Sequence, residues 1–201
     1  MKKMNLPNTL SLIRVLLVPF FMAAVIFIKI PAGADFWQTF LLCAIPTAIF
    51  GLTAYTDHLD GKIARKYNLI TDFGKFIDPL ADKFMVFGAL IAILVARPAI
   101  APLFVWVAAV IMLRELAVTS LRLVVAGSSG KVVAASMFGK IKTVTQCVSI
   151  ILILMEPAIL YGFTAVPNLL SYIAMAAMLV TTVASGLDYM KAYMPFIDPE
   201  K

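Results

Sequence analysis

The chain has 201 residues, of which 62% are hydrophobic and 14% are charged, and its formal net charge at pH 7 is +6. Soluble domains are about 45–50% apolar and about 25% charged, so this composition excludes an ordinary soluble domain and predicts a multi-pass membrane protein. No linker, low-complexity tract or repeat divides the sequence, which predicts a single domain over residues 1–201.

The predicted elements are an interfacial segment, six membrane-spanning helices and a short tail. Residues 1–11 mix charged and apolar side chains, as expected of a short amphipathic helix at a membrane surface. A bilayer core of about 30 Å requires about 20 helical residues, and six apolar segments meet this requirement: 12–30, 37–56, 76–96, 101–124, 141–162 and 168–188. Because a backbone in lipid must satisfy its own hydrogen bonds, the predicted fold class is all-α, with a six-helix bundle over residues 12–190 and a tail over residues 191–201.

The basic residues orient the predicted bundle. Six spans place both termini on one side of the membrane, and fifteen of the seventeen Lys and Arg residues then fall on that side, leaving only Lys29 and Arg97 opposite. Cytoplasmic loops carry the excess of basic residues, so both termini should be cytoplasmic. The short loops favour a bacterial inner membrane. The positive charge needs no nucleic acid to explain it, and the soluble basic face that would bind one is absent.

Acidic residues concentrate between the second and third spans. The stretch Tyr55–Phe84 holds five of the eleven acidic residues of the chain. Asp57 and Asp60 are three residues apart at the end of the second span, and Asp78 and Asp82 are four apart at the start of the third. Both spacings place a pair on one face of a helix. The short connection lets the two helix ends lie side by side, so the four carboxylates are predicted to converge.

A cluster of four carboxylates at a membrane boundary requires compensating positive charge. Acidic side chains are costly within a membrane, and four of them would also repel one another. Salt bridges to the interleaved Lys62, Arg65 and Lys66 are one answer, but these residues point in different directions around a helix and cannot all face the carboxylates. Hard divalent cations with oxygen ligands are the other answer. Two Mg²⁺ or Mn²⁺ ions held by shared carboxylates are a common arrangement for phosphoryl chemistry.

Small residues complete a longer motif. Residues 57–82 read DHLDGKIARKYNLITDFGKFIDPLAD, which places Gly61, Ala64 and Arg65 after the first aspartate pair and Gly74 four residues before Asp78. Glycine permits a close approach of backbone or ligand, although helix packing in membranes also uses small residues. The pattern resembles the signature of the CDP-alcohol phosphatidyltransferases, and the resemblance extends from about Leu6 to Tyr189.

The resemblance implies an integral-membrane enzyme that binds a CDP-linked lipid, holds two divalent metal ions and releases CMP. It implies metal ligation by Asp57, Asp60, Asp78 and Asp82, with Asp82 also the general base. The residues that it assigns to the nucleotide and its diphosphate are Asn8, Asp57, Asp60, Gly61, Ala64, Arg65 and Gly74. The habit of the family also implies a homodimer.

Four further stretches resemble the branch of this family that uses CDP-diacylglycerol and sn-glycerol 3-phosphate. They read NLPNTLSLIR, GKFIDPLADK, RELAVTSLR and GKIKTVTQ. The implied reaction transfers a phosphatidyl group to the glycerol phosphate in phospholipid biosynthesis.

A phosphorylated acceptor needs a basic pocket, and the fourth and fifth spans supply candidates. Arg114 and Arg122 are eight residues apart on similar faces of the fourth helix, while Lys140 and Lys142 begin the fifth. Arginine favours bidentate contacts with phosphate, and Glu115 could orient one of these cations. The alternative is that all four are lipid-boundary residues whose charged ends extend to the interface.

Two other functions remain open at the level of sequence. The same scaffold could use another acceptor, such as inositol phosphate, serine or phosphatidylglycerol. A cation transporter could also line its path with carboxylates, although transporters place such groups near the middle of the membrane.

Overall fold

The computed structural model describes residues 5–67, 71–129, 137–163 and 165–194. They form six helices, which are α1 (Leu6–Phe27), α2 (Phe36–Tyr67), α3 (Asp72–Ala96), α4 (Ala101–Ser129), α5 (Met137–Ile159) and α6 (Leu169–Tyr193). These described ranges contain no strand. Every helix contains a stretch long enough and apolar enough to cross a membrane, which confirms the predicted all-α fold of six spans.

All six helices extend at one end beyond the apolar segments that predicted them, and α1 and α2 extend furthest. Helix α1 runs without interruption from Leu6, so the described part of the predicted interfacial segment forms its first turns. Helix α2 continues past the end of the apolar segment at residue 56 to Tyr67. The aspartates Asp57 and Asp60 therefore lie within a continuous helix, with the spacing of one turn that the sequence predicts.

The six helices form a closed ring. Helix α1 packs against both α2 and α3, α2 against α5, α5 against α6, α6 against α4, and α4 against α3. The order around the ring is therefore α1, α2, α5, α6, α4, α3. Three of the six ring contacts join helices that are not consecutive in the sequence, so residues from distant parts of the chain face the same interior.

The core is largely apolar, and α1 approaches α3 closely within it. Val18 is fully buried, and a Cβ atom added to Gly88 would lie 2.6 Å from its Cγ1 atom. Phe21 and Phe50 pack with ring centroids 5.4 Å apart and connect α1 to α2. Large apolar side chains such as Trp106 (72% exposed) cover the outside, as expected of helices in contact with lipid.

A buried ion pair closes the end of the bundle where α3 terminates. Arg97 caps α3, and its Nη2 atom lies 2.7 Å from Oε2 of Glu156 on α5. The same guanidinium donates to the Ile153 carbonyl oxygen at 3.2 Å and to Asn168 Oδ1 at 3.3 Å. Glu156, which is 3% exposed, also accepts from the backbone N–H of Ser171 at 3.0 Å and from its hydroxyl at 2.5 Å. This network joins α3, α5 and α6.

Candidate active site

A cavity of about 640 Å³ lies between helices α2 to α6, at the end of the bundle where α3 begins. Its acidic lining residues are Asp78, Asp82 and Glu115. Its basic lining residues are Lys83, Arg114, Arg122, Lys140 and Lys142. Binding pockets for small molecules occupy about 300–1,000 Å³, so the cavity is large enough for a small phosphorylated ligand. We call Asp78 and Asp82 the acidic wall, and Arg114, Arg122, Lys140 and Lys142 the basic wall.

The start of α3 is fixed by contacts with α1. Thr71 caps the helix, because its Oγ1 accepts from the Gly74 backbone N–H at 3.0 Å. The same hydroxyl donates to Oδ1 of the buried Asn8 at 2.9 Å. A Cβ atom on Gly74 would lie only 3.0 Å from that Oδ1 atom. Gly74 therefore permits α1 to approach α3 closely, one turn before Asp78.

Both carboxylates of the acidic wall are held by α1. Ser11 donates from its hydroxyl to Asp78 Oδ1 at 2.5 Å. Arg14 is fully buried, and its Nη1 atom lies 2.6 Å from Asp82 Oδ1. The Asp82 side chain is 51% exposed toward the cavity side of the helix. Helix α1 thus supplies hydrogen bonds that fix the orientation of both carboxylates, and it does so with residues that the sequence pattern did not single out.

The chemistry of the acidic wall fits a hard divalent cation. Two carboxylates one helical turn apart line the same cavity, and Mg²⁺ and Mn²⁺ prefer oxygen ligands of this kind. Within the described ranges no group of three or more metal-ligating side chains is present. Helix α2 passes through Asp57 and Asp60, but their side chains lie outside the described part of the structure. That Asp57 and Asp60 also converge on this cavity therefore stays a prediction.

The basic wall is completed by α6. Arg114 donates from Nη2 to the Ser185 hydroxyl at 2.5 Å, and Arg122 donates from Nη2 to the Tyr189 hydroxyl. Both guanidinium carbons lie over the ring of Tyr189, at 5.2 Å and 4.9 Å from its centroid. Such cation–π contacts hold a guanidinium in place without neutralising its charge. Tyr189 thus arranges the two arginines side by side on the cavity wall.

Lys142 differs from the other cations of the basic wall. It is 4% exposed, and its amine forms an ion pair with Oε1 of Glu115, which also lies 3.5 Å from Arg114 Nη1. Glu115 therefore contacts two of the cations, whereas the sequence suggested that it would orient one. Lys140 is exposed. Arg114, Arg122 and Lys140 consequently supply more positive charge than Glu115 balances, which favours an anionic ligand at this wall.

The predicted site residues fall into three groups. Six of them line the one cavity: Asp78, Asp82, Arg114, Arg122, Lys140 and Lys142. Asn8 and Gly74 lie beside Asp78, at the contact between α1 and α3. The remaining predicted residues lie in the last three turns of α2, and their side chains are outside the described part of the structure. They are Asp57, Asp60, Gly61, Ala64 and Arg65.

Comparison with known proteins identifies the family to which the sequence is similar. A sequence model of the CDP-alcohol phosphatidyltransferase family matches residues 4–184. The chain is 39% identical over 195 residues to the CDP-diacylglycerol–glycerol-3-phosphate 3-phosphatidyltransferase of Bacillus subtilis, covering 92% of this chain and 93% of that protein. It is 36% identical over 186 residues to the probable phosphatidylglycerophosphate synthase of Mycobacterium tuberculosis (92% and 80% covered). It is 31% identical over 192 residues to a Haemophilus influenzae protein with the same name as the B. subtilis enzyme (94% and 93% covered).

Proposed function

The chain belongs to the CDP-alcohol phosphatidyltransferase family, and from this premise we propose that it transfers a phosphatidyl group from CDP-diacylglycerol to sn-glycerol 3-phosphate. The products are phosphatidylglycerol phosphate and CMP. The names of the B. subtilis and H. influenzae relatives support this assignment. The observation that carries it is the single cavity in which an acidic wall faces a cluster of cations.

The acidic wall is the proposed place of the chemistry. The family generally depends on a divalent metal, and Asp78 and Asp82, together with Asp57 and Asp60 from α2, would hold it. Two Mg²⁺ or Mn²⁺ ions there would neutralise charge on the diphosphate and orient it. Asp82 is the proposed general base, since a carboxylate within hydrogen-bond reach of the attacking hydroxyl can accept its proton.

The protein itself prepares the acidic wall for this role. Arg14 contributes one positive charge against the two carboxylates, and Ser11 contributes a neutral hydroxyl. The two contacts fix the carboxylate orientations before any ligand binds, and preorganisation of this kind lowers the cost of alignment in the reaction.

The donor nucleotide is proposed to lie between the acidic wall and the end of α2. Gly61, Ala64 and Arg65 would approach its diphosphate, and Asn8 and Gly74 would border it at the start of α3. The lipid tails of CDP-diacylglycerol would remain in the membrane. Asp78 and Asp82 lie within the first three turns of α3 and not midway along it, which suits a donor at the membrane surface and disfavours a transport path through the middle.

The acceptor phosphate is proposed to bind at the basic wall. Arg114 and Arg122 are held side by side by Tyr189, and Lys140 is exposed beside them. Lys142 would contribute indirectly, because it pairs with Glu115, which in turn contacts Arg114. An acceptor without a phosphate would leave these cations uncompensated, so the geometry favours glycerol 3-phosphate over serine. The termini and the active site are proposed to face the cytoplasm, and the protein is proposed to act as a homodimer.

The function is tested by offering several acceptors to the purified protein. Labelled CDP-diacylglycerol is supplied with sn-glycerol 3-phosphate, inositol phosphate, serine or phosphatidylglycerol, each with Mg²⁺, Mn²⁺ or a chelator. We expect labelled phosphatidylglycerol phosphate from the first acceptor alone, and only with metal. Preferential use of another acceptor would replace the proposed reaction by a different one on the same scaffold.

The Asp78→Asn variant tests the role of the acidic wall in the same assay. An asparagine oxygen can still accept from Ser11, so the helix contact is retained while the charge is lost. We expect turnover to be abolished, because the substitution removes a proposed metal ligand. Asp35→Asn is the matched control, because Asp35 is exposed and precedes α2 at the far end of the bundle. Normal turnover by the Asp78 variant would remove the metal assignment.

A further inference from the structure

Gln146 is a buried amide on the cavity wall that has nothing to bind. It is 1% exposed, and neither its Nε2 nor its Oε1 atom has a hydrogen-bond partner in the described part of the chain. Buried polar groups are nearly always hydrogen-bonded, and each exception calls for an explanation. An amide left in this state inside a membrane protein is costly. Both of its polar atoms therefore lack a protein partner, and a rotation of the side chain toward the cavity that it lines would present them to a ligand.

The position of Gln146 on α5 places it beside the proposed acceptor site. It follows Lys142 by four residues, so the two side chains lie on one face of the helix, about 6 Å apart along its axis. Lys142 is already occupied by Glu115. Buried charges at the far end of the bundle are also paired, as Glu156 is with Arg97. Gln146 thus differs from Lys142 and Glu156, the charged residues buried in α5, because both of those are paired. Gln146 lines the cavity and has no hydrogen-bond partner within the described ranges.

The chemistry of an amide indicates which part of a ligand it would bind. A carboxamide is neutral, and it offers both a donor and an acceptor. A hydroxyl group has the same two capacities, whereas a phosphate offers only acceptors and is better served by the arginines. Glycerol 3-phosphate carries a phosphate at one end, the attacking hydroxyl at the other and a third, unreactive hydroxyl between them. With its ends at the basic and acidic walls, its central hydroxyl would lie in the space that Gln146 borders.

We propose that Gln146 binds the central, unreactive hydroxyl of the acceptor and thereby makes the enzyme select a polyol phosphate over a simple hydroxyalkyl phosphate. This inference rests on the proposed function. The hydroxyl would satisfy both orphaned amide atoms, and an acceptor lacking it would leave them buried and unpaired. A site built to bind a hydroxyl group rejects the analogue that lacks it more strongly than the hydrogen bond alone would suggest.

The test compares two acceptors and two forms of the enzyme. The probes are sn-glycerol 3-phosphate and 3-hydroxypropyl phosphate, which differ only in the central hydroxyl. The Gln146→Met variant keeps a side chain of similar length without the amide. For the unmodified enzyme we expect kcat/KM to favour glycerol 3-phosphate by roughly five- to a hundredfold, the usual range for one buried hydrogen bond. In the variant this preference should fall close to unity, through loss of activity with glycerol 3-phosphate and not with the analogue.

Turnover of the analogue reports whether the variant is folded. The matched control is Gln38→Met, which changes an exposed glutamine at the other end of the bundle. An equal loss with both acceptors, or an unchanged preference, would overturn the inference. If Gln146→Met shows no activity at all, Gln146→Asn decides: its shortened amide should weaken glycerol 3-phosphate selectively, and an equal loss on both acceptors refutes the inference. Failure of the proposed function would look different, since the unmodified enzyme would then use neither acceptor.

Discussion

The buried ion pair between Arg97 and Glu156 makes a prediction about stability that is separate from activity. Replacing Glu156 by Gln leaves the geometry of the Ser171 contact available but removes the charge that faces Arg97. The guanidinium is 20% exposed and the carboxylate 4% exposed, so solvent screens the pair only weakly. The loss should therefore approach that of a buried pair and not that of a surface salt bridge.

The expected magnitude follows from this degree of burial. Removing one partner of a buried pair costs about 3–5 kcal/mol, and the partial exposure of Arg97 favours the lower end, about 3 kcal/mol. For a protein of this size each kcal/mol shifts the melting temperature by about 2–4 °C, so Glu156→Gln should lower it by roughly 6–12 °C. The double variant Arg97→Met, Glu156→Leu should lose less than the two single changes together, because it leaves no unpaired charge.

The assay is thermal unfolding of the purified protein in detergent, combined with turnover at low temperature. Turnover should be unchanged, because the ion pair lies at the opposite end of α3 from Asp78 and Asp82. Lys29→Met is the matched control: it removes one positive charge from an exposed lysine that follows α1. A melting temperature within about 2 °C of the unmodified protein, or strictly additive losses in the double variant, would refute the reasoning.

Two further predictions concern helix packing and the acceptor site. Gly88→Ala would place a Cβ atom 2.6 Å from Val18 Cγ1, so the Val18 side chain or the helix packing must shift, and thermal unfolding should show a loss of about 2–3 kcal/mol. Gly51→Ala, with open space around it, should lose none, and equal effects of the two changes would contradict this account. Tyr189→Phe keeps the ring but removes the hydroxyl that accepts from Arg122. This variant should raise the KM for glycerol 3-phosphate about tenfold and leave the KM for CDP-diacylglycerol unchanged. An equal rise in both KM values would assign Tyr189 a purely structural role.

The six helices could be predicted from hydropathy because lipid admits few alternatives. A long apolar segment in a bilayer must satisfy its backbone internally, so length and composition determine both its structure and its number of crossings. The end of α2 was less predictable. The apolar signal stops at residue 56, but the helix continues through Asp57 and Asp60 to Tyr67. Hydropathy reports where lipid contact ends, whereas helical hydrogen bonding continues into residues that face water or ligand.

The sequence identified the acidic wall but not the residues that hold it. The spacing of Asp78 and Asp82 places both on one face of α3 wherever that helix lies. The contacts of Ser11 and Arg14 depend instead on how α1 packs against α3, which spacing does not specify. In the sequence Arg14 is one of the fifteen basic residues on the predicted cytoplasmic side, and nothing in its spacing indicates that it is fully buried.

The contribution of α6 to the basic wall was hidden for a different physical reason. A helix in a soluble protein shows which face is buried through the alternation of apolar and polar residues. In a membrane both the lipid and much of the core are apolar, so hydropathy alone does not separate the buried face of α6 from its lipid face. Ser185 and Tyr189 are four residues apart, which places them on one face, but only the ring order shows that this face meets α4 and its arginines.

The charges around the cavity explain why its two walls require different ligands. Arg14 lies against Asp82 and Ser11 against Asp78, so the acidic wall presents carboxylate oxygens that suit a hard cation. Glu115 brings one negative charge to Arg114 and Lys142, and Arg122 and Lys140 add two more cations, so the basic wall retains a positive charge that suits an anion. A reaction between a metal-bound diphosphate and a phosphorylated alcohol needs both kinds of charge within the length of one small acceptor. The cavity combines them, because its lining takes carboxylates from α3 and cations from α4 and α5.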